Sequence, residues 1–261
     1  MTKFQIKAIV LSGDGINCES ETGHALTLAG FTPELVHVSR LLHDPGLLKD
    51  AYLLVLPGGF SFGDEIESGK VLAIKLMEKV EKEINQFIES GKLVIGICNG
   101  FQALVQMGLL PGTENNKKSV SLLRNQSKKF INRCVTLEKS TSNNDFFKGC
   151  DRIELPIRHG EGKLAISDTM KEKIDQFSAL TYCEDVNGSY NKIAALTSKN
   201  GNVLGMMPHP EAFVRWTHHP NWTLLKIEKP ALFDDQSREY EVPHGLRILL
   251  NARNMAEKLK S

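Results

Sequence analysis

The chain has 261 residues, enough for one large domain or two small ones, and its apolar (41%) and charged (24%) fractions are those of a protein with a sizeable core. The net charge of +1 argues against nucleic-acid binding by bulk electrostatics, and no apolar run is long enough to span a bilayer. The N-terminus Met1-Thr2-Lys3-Phe4 shows no signal-peptide pattern, and five widely spaced cysteines predict a cytoplasmic protein with neither a disulfide framework nor a metal site.

The first hundred residues alternate between strand and helix patterns. Apolar runs predict strands over 6–11, 34–38, 52–56 and 92–97. Helical spacing predicts helices over 17–30, over 65–90 with an interruption near Gly69, and over 101–107, whereas 40–50 is predicted as a loop. This alternation predicts an α/β fold with a doubly wound, mostly parallel sheet that binds its ligand at the carboxyl ends of the strands.

The second half predicts shorter strands in an antiparallel or mixed arrangement. They cover 130–137, 152–157, 180–183, 192–197 and 203–207, with an Asn-Gly hairpin turn over 198–202 and a short helix over 170–177. A tail over 213–261 carries Trp216, Trp222 and a polar stretch over 234–241, and ends in a predicted helix over 246–259. Since no linker is visible, we expect a single domain over 1–261, with a core at about 6–212 and the tail packed on it or on a partner.

Cys98 lies where the strand at 92–97 turns into a helix, with Gly96 two residues before it and Gly100 two residues after. This is the glycine-x-nucleophile-x-glycine pattern of a nucleophile elbow, in which a sharp turn leaves no room for a Cβ atom. The turn places the sulfur at a helix N-terminus, where free N–H groups favour a thiolate. The alternative is a buried structural cysteine, but glycines on both sides favour the nucleophile.

His209 is the candidate base, because it follows an apolar strand, lies between two prolines and precedes Glu211 by two residues. The imidazole would take the thiol proton while the carboxylate fixes its tautomer, which gives a Cys-His-Glu triad. An oxyanion hole could use the N–H of Asn99 and a second donor from Gly58 or Gly59. The alternatives are a turn histidine beside a solvated glutamate, and a plain tight turn at 57–59.

Other polar clusters are less specific. Residues 17–19 and 158–162 are two of them, and the second could line a pocket rim or form a glycine-rich turn. His218 and His219 lack the spacing of metal ligands. No phosphate-binding loop of the G-x-x-x-x-G-K-[ST] type occurs, so we expect no ATP site in this chain.

Taken together, these motifs resemble the class I (triad) glutamine amidotransferases, and most closely the branch that forms the glutaminase part of phosphoribosylformylglycinamidine synthases. The resemblance spans about residues 6–212. The motifs that carry it are Pro57-Gly58-Gly59-Phe60-Ser61-Phe62-Gly63-Asp64, Gly96-Ile97-Cys98-Asn99-Gly100-Phe101-Gln102, Leu109-Leu110-Pro111-Gly112, His159-Gly160-Glu161-Gly162, Asn187-Gly188-Ser189 and Gly205-Met206-Met207-Pro208-His209-Pro210-Glu211.

The resemblance implies a flavodoxin-like fold and a mechanism. Cys98 would attack the carboxamide of glutamine, His209 would move the proton, and water would release glutamate from the thioester. Gln102 and the loop of Gly58, Gly59 and Phe60 would help to hold glutamine. Ammonia would pass to an ATP-dependent synthase subunit that carries ATP and magnesium, with a small accessory subunit in the same complex and no cofactor in this chain.

The tail and two departures qualify the resemblance. The tail residues Trp216, Pro220 and Trp222 and the segments 245–247 and 251–253 resemble the C-terminus of the single-chain form of the synthase more than that of the short separate subunit. Glu65-Ile66-Glu67 stands where the family often has an aromatic residue and an arginine, and Ala212 replaces the usual arginine. Two alternatives remain open: an amidotransferase that serves a different synthase, and a non-catalytic docking or regulatory subunit.

Overall fold

The computed structural model describes residues 5–112, 119–140, 144–237 and 241–260. The first four residues and part of the polar stretch predicted over 234–241 therefore lie outside the described residues. Within the described ranges, no helix has both the length and the apolar character that a membrane crossing requires.

The described residues form eleven strands. They are β1 (Lys7–Ser12), β2 (Thr32–His37), β3 (Leu53–Leu56), β4 (Leu93–Ile97), β5 (Val120–Leu123), β6 (Ile131–Lys139), β7 (Arg152–His159), β8 (Lys163–Ile166), β9 (Ser178–Tyr182), β10 (Ile193–Thr197) and β11 (Val203–Met206). Nine of them build one sheet in the order β2-β1-β3-β4-β11-β10-β9-β6-β7. The helices are α1 (Glu19–Leu28), α2 (Val38–His43), α3 (Lys70–Glu89), α4 (Asn99–Gln106), α5 (Trp222–Glu228) and α6 (His244–Lys258).

The sheet is parallel from β2 to β11 and antiparallel from β11 to β7, which confirms the predicted α/β class and the mixed second half. Every residue of β3, β4 and β11 is buried, as expected for central strands covered on both faces. The predicted turn over 198–202 joins β10 to β11 as an antiparallel hairpin.

The register of the parallel strands places three chain segments at one edge. Leu56 at the end of β3 pairs with Gly96 of β4, and Met206 at the end of β11 pairs with Ile97. The chain therefore leaves all three strands at the same carboxyl edge, where it continues into Pro57, Cys98 and Met207. This edge is where ligands bind in open α/β sheets.

Two predicted elements are wrong. The segment 40–50 is not a loop: α2 covers Val38–His43, and a 3₁₀ turn follows over Pro45–Leu48. Side chains of His37 and Asp44 accept hydrogen bonds from the N–H groups of Ser39 and Gly46 and so cap these two short elements. The helix expected over 170–177 is instead two separate 3₁₀ turns, Asp168–Met170 and Ile174–Gln176.

Gly69 explains the interruption predicted in the long helix. Its φ of 72° is left-handed, and α3 begins only at Lys70. A two-stranded sheet of β5 and β8, which sequence periodicity does not reveal, adds to the second half.

The tail ends in α6, which buries Ile248, Leu249 and Ala252. Trp216 is 7% exposed, and its indole N–H donates to the carbonyl of Glu241 at 2.6 Å. Trp222, the other tryptophan of the tail, lies on α5 and is 37% exposed, and α5 has no buried residue. Trp216 is therefore the one tryptophan of the pair that is packed into the core.

Candidate active site

Cys98 forms the corner between β4 and α4. Its φ of 49° and ψ of −103° are rare for a residue with a side chain, and such strained conformations cluster at functional sites. A Cβ atom at Gly96 would lie 2.6 Å from the carbonyl oxygen of Gly100, and one at Gly100 would lie 1.8 Å from the carbonyl oxygen of Leu56. The glycine spacing read from the sequence thus reflects real crowding at the elbow.

His209 follows β11 and lies in the adjacent loop at the same edge of the sheet. Its backbone N–H donates to the carbonyl of Pro156 at 2.9 Å, which ties the loop to β7. Its Nδ1 lies 2.6 Å from Oε1 of Glu211, and the two side chains are 2% and 0% exposed. This geometry places the Nδ1 proton toward the carboxylate and leaves Nε2 as the atom that can exchange a proton.

The carboxylate of Glu211 affects the pKa of the His209 imidazole. Burial alone lowers the pKa of His209, but the Glu211 carboxylate and the thiols of Cys18 and Cys98 outweigh burial, and the pKa is raised well above its ordinary value. Both thiols approach the ring, although within the described residues neither makes a hydrogen bond of normal geometry to Nε2. The site is therefore built to hold a proton on His209 beside two sulfur atoms.

The loop after β3 lies against the imidazole. A Cβ atom at Gly58 would lie 2.8 Å from Cε1 of His209. Gly59 has a φ of 142°, and a Cβ atom there would lie 2.6 Å from the carbonyl oxygen of Gly15. The loop can approach the histidine this closely because both positions lack a side chain.

Asn99 joins this loop to the elbow. Its side-chain oxygen accepts from the N–H of Ser61 at 3.1 Å, and its NH₂ group donates to Asp64 at 2.9 Å and to Gln102 at 3.0 Å. Gln102 in turn donates to the carbonyl of Glu161 at 2.6 Å. These bonds fix the position of the Gly58–Gly59 segment relative to the first turn of α4.

A cavity of about 300 Å³ opens over Cys98. The residues that line it are Asn17, Cys18, Gly59, Phe60, Asp64, Ser68, Cys98, Gln102, Phe130, Arg158, His159, Gly160, Glu161 and His209. The site residues expected from sequence thus lie around one cavity, except that Gly58, Asn99 and Glu211 lie behind its wall. Residues 158–161 line the cavity, which supports the interpretation of the 158–162 cluster as part of a pocket rim.

Two cavity residues lie in motifs quoted from the sequence, where neither was assigned a role of its own. Asp64 is half-buried, and burial raises the pKa of its carboxyl group despite hydrogen bonds from Gly69 and Asn99. His159 is buried, with Nδ1 3.0 Å from the side-chain oxygen of Asn125, and burial together with the nearby His209 lowers its pKa to about 4. His159 is thus a neutral imidazole beside a protonated one.

Cys18 brings a second thiol into the cavity. Cys18, His209 and Glu211 each offer a ligand atom within 4.8 Å of the others, and all three residues are buried. Burial raises the pKa of the Cys18 thiol, against a hydrogen-bonding effect of His209. The motif Asn17-Cys18-Glu19 does not predict that Cys18 lies near His209, because only the folded loops bring these two residues together.

Comparison with known proteins places this geometry in a family. The family model described as the CobB/CobQ-like glutamine amidotransferase domain matches residues 5–254. Phosphoribosylformylglycinamidine synthase subunit PurQ of Dehalococcoides mccartyi is 39% identical over 268 aligned positions, which cover 98% of this chain and 99% of that protein. PurQ of Thermotoga maritima is 41% identical over 215 positions, covering 80% of this chain and 88% of that protein.

A solved structure agrees with the sequence comparisons. One chain in the structure of PurLQS from Thermotoga maritima superimposes with a TM-score of 0.74 at 33% identity, and the match covers 96% of this chain and 99% of that one.

Proposed function

Because the chain belongs to the CobB/CobQ-like glutamine amidotransferase family, we propose that it is the glutaminase subunit of a phosphoribosylformylglycinamidine synthase. In this role it hydrolyses glutamine to glutamate and ammonia. The ammonia is used by an ATP-dependent synthase subunit, which converts formylglycinamide ribonucleotide to formylglycinamidine ribonucleotide in purine biosynthesis. As a whole, the complex is a carbon–nitrogen ligase with glutamine as amido donor.

One observation carries the proposed chemistry: Cys98 stands at a strained elbow in the same cavity as His209, whose Nδ1 is bound by the buried Glu211. The proton of Cys98 rests on Nε2 of His209, and the Cys98 thiolate attacks the carboxamide carbon of glutamine. His209 then gives the proton to the departing ammonia. Water, activated by the same imidazole, adds to the thioester, and glutamate leaves with the thiol restored.

The oxyanion that forms during attack needs N–H donors, and we assign these to the Asn99 backbone and to the Gly58–Gly59 segment. The assignment is supported by the hydrogen bond from Ser61 N–H to the Asn99 side chain, which holds the loop and the elbow together. Asn99 thus acts through its backbone on the reaction and through its side chain on the position of the loop.

The cavity offers groups that suit a free amino acid. Arg158 and Glu161 are partly exposed at its wall, and they present one positive and one negative charge to the carboxylate and the ammonium of glutamine. Phe60 is 50% exposed and covers one side. Gln102 has its amide committed to Asn99 and Glu161, so we assign it to shaping the wall against which glutamine lies.

We further propose that the chain acts in the cytoplasm as one amidotransferase domain, together with a synthase subunit and a small accessory subunit. The match to a chain of PurLQS over nearly the whole length supports this assembly. ATP and magnesium belong to the synthase subunit, and glutamine is the ligand of this chain. We expect a low glutaminase rate for the isolated chain, because docking of the partner would complete the loop around Gly58 and Gly59.

The experiment is to measure glutamate formation from glutamine by the chain alone and after addition of the synthase and accessory subunits. The proposal predicts slow release alone and a large stimulation by the partners. A chain that binds the partners but never releases glutamate would be a docking subunit. A chain that hydrolyses glutamine but neither binds nor responds to these partners would serve a different synthase.

A further inference from the structure

The last helix of the tail contacts the loop that carries the base and the carboxylate of the triad. α6 packs against the 3₁₀ turn Pro210–Ala212, which contains Glu211. We propose that the first turn of α6, with His244 and Gly245, positions the base–carboxylate pair of the triad in its reactive geometry. The proposal rests on the proposed glutaminase function, because the pair is the proton-transfer group of that reaction.

Gly245 brings α6 directly against the backbone of the triad loop. Its N–H donates to the carbonyl of Phe213 at 3.1 Å. A Cβ atom at this position would lie 2.0 Å from the carbonyl oxygen of Pro210. Pro210 and Phe213 stand on either side of Glu211 in the chain. A helix that touches both of their carbonyls therefore restricts where the carboxylate between them can lie.

The outer edge of β7, the last strand of the nine-stranded sheet, binds both the loop and the helix. The N–H of Glu154 donates to Nδ1 of His244 at 3.0 Å. Two residues further along the strand, the carbonyl of Pro156 accepts from the N–H of His209 at 2.9 Å. The triad loop is therefore held between β7 and the first turn of α6, and α6 is itself bound to β7.

The same strand edge reaches the nucleophile. The carbonyl oxygen of Arg158 lies 3.6 Å from the sulfur of Cys98. Alternate residues of a strand stand about 7 Å apart, so positions 154, 156 and 158 set the spacing of the tail, the base and the nucleophile along one edge. A shift of α6 relative to β7 would move the loop between them and with it the base.

His244 contributes in two ways that can be separated. A backbone N–H can only donate, so Nδ1 of His244 is the acceptor from Glu154 and the ring is neutral. Burial lowers the pKa of His244, which favours the neutral form. The ring also packs edge-on against Phe213 and Trp216, with centroids 5.6 and 5.2 Å away. One contribution is thus a hydrogen bond to β7, and the other is packing within the tail.

The first test is Gly245→Ala, assayed in the complex with the synthase and accessory subunits. Alanine is favoured within a helix, so the variant adds only the Cβ atom that meets Pro210. We expect kcat for glutamine hydrolysis to fall by more than about tenfold at an unchanged KM. The alkaline limb of the pH profile should also move to lower pH, because a displaced Glu211 stabilises the proton on His209 less. A folded variant with the kcat and pH profile of the wild type would overturn the proposal.

The control destabilises the same helix at a different point. Asn251 donates to the carbonyls of Phe146 and Lys148, both at 2.9 Å, and so ties the middle of α6 to another part of the chain. Asn251→Ala should lower the midpoint of urea unfolding but keep the kcat and the pH profile of the wild type. If its pH profile moves as far as that of Gly245→Ala, general loosening of the tail is sufficient and the first turn has no special role.

A second test does not depend on the folding of Gly245→Ala. His244→Phe keeps a packed ring but leaves the N–H of Glu154 without its acceptor, whereas the side-chain oxygen in His244→Asn can accept near the position of Nδ1. We expect kcat to fall by about two- to tenfold in His244→Phe and to be restored toward the wild-type value in His244→Asn. A kcat as low in His244→Asn as in His244→Phe would refute the part played by the hydrogen bond.

The last measurement separates this proposal from the proposed function. The Cε1 proton of His209 is followed by NMR against pH in the full-length chain, for the wild type, Gly245→Ala and His244→Phe. The raised pKa of His209 should be lower in both variants, because its other titratable neighbours, the two thiols and His159, are unchanged. Identical titration curves would contradict the positioning role. A lowered pKa in a chain that never releases glutamate would instead support the positioning and refute the proposed function.

Discussion

Nδ1 of His209 and Oε1 of Glu211 lie 2.6 Å apart, and both side chains are closed off from solvent. An imidazole buried alone would lose its proton readily, but this one is held protonated by the carboxylate beside it. The pair thus fixes which nitrogen faces the thiols and how firmly the ring keeps the proton that it receives. Substitution of Glu211 should therefore change both the catalytic rate and its dependence on pH.

Glu211→Gln should lower kcat/KM for glutamine hydrolysis by about 10²–10⁴-fold, because the base loses its orientation and its charge partner. The alkaline limb of its pH profile should also lie at a lower pH than that of the wild type, because removal of the carboxylate lowers the raised pKa of His209. The matched control is Glu154→Gln, which breaks another carboxylate–histidine contact, 3.1 Å to His219. A pH profile of Glu211→Gln that overlays that of the wild type would rule out this role.

Cys98 should be alkylated before the other four cysteines. Burial raises the pKa of each of the others, to about 11 for Cys150. Cys98 stands at the N-terminus of α4 with the proton acceptor His209 beside it, and the cavity opens over it. Brief treatment with iodoacetamide followed by peptide mapping tests this, and His209→Ala should slow the labelling of Cys98. Uniform labelling of all five residues would count against an activated nucleophile.

Gly100→Ala should destabilise the fold by about 1–3 kcal/mol or more, because its Cβ atom would lie 1.8 Å from the carbonyl oxygen of Leu56. Gly160→Ala is the control, since a Cβ atom there would meet its nearest neighbour, Phe130, at 3.8 Å. We expect it to change the stability by less than about 0.5 kcal/mol. Urea unfolding of the two variants gives the comparison, and equal midpoints would mean that the elbow is not crowded as described.

The two tryptophans of the tail should differ in their effect on stability. Trp216 packs edge-on against Phe213 and His244, with ring centroids 5.5 and 5.2 Å away, so Trp216→Ala should cost about 3–5 kcal/mol. Trp222 is partly exposed on α5, and Trp222→Ala should cost less than about 1 kcal/mol. Thermal unfolding of both variants tests this, and similar losses would show that α5 is buried in solution.

Much of the fold and site follows from local sequence. The elbow can be predicted because Gly96 and Gly100 mark crowding within a few residues of Cys98. The parallel half follows from its continuous apolar runs, and the ends of the runs at 6–11, 52–56 and 92–97 locate loops of the site. These features are encoded over short distances, where periodicity and glycine spacing are informative.

The features that sequence did not reveal depend on contacts between distant segments. α2 has six residues, too few for a helical pattern to stand out, and β5 and β8 are stabilised by pairing with each other. Cys18 reaches His209 only because Gly58 leaves space between them. The neutral state of His159 likewise depends on its burial next to His209, and no local sequence pattern predicts it.

The most direct test of the account separates the production of ammonia from its use. Cys98→Ala and the wild type are each assembled with the synthase and accessory subunits, and formation of the amidine product is measured with glutamine and with ammonium chloride. Because Cys98 serves only to release ammonia, the variant complex should lose the glutamine-dependent reaction and keep the ammonium-dependent rate of the wild type. Equal loss of both reactions in an intact complex, or glutamine-dependent turnover at the wild-type rate, would contradict the role of Cys98.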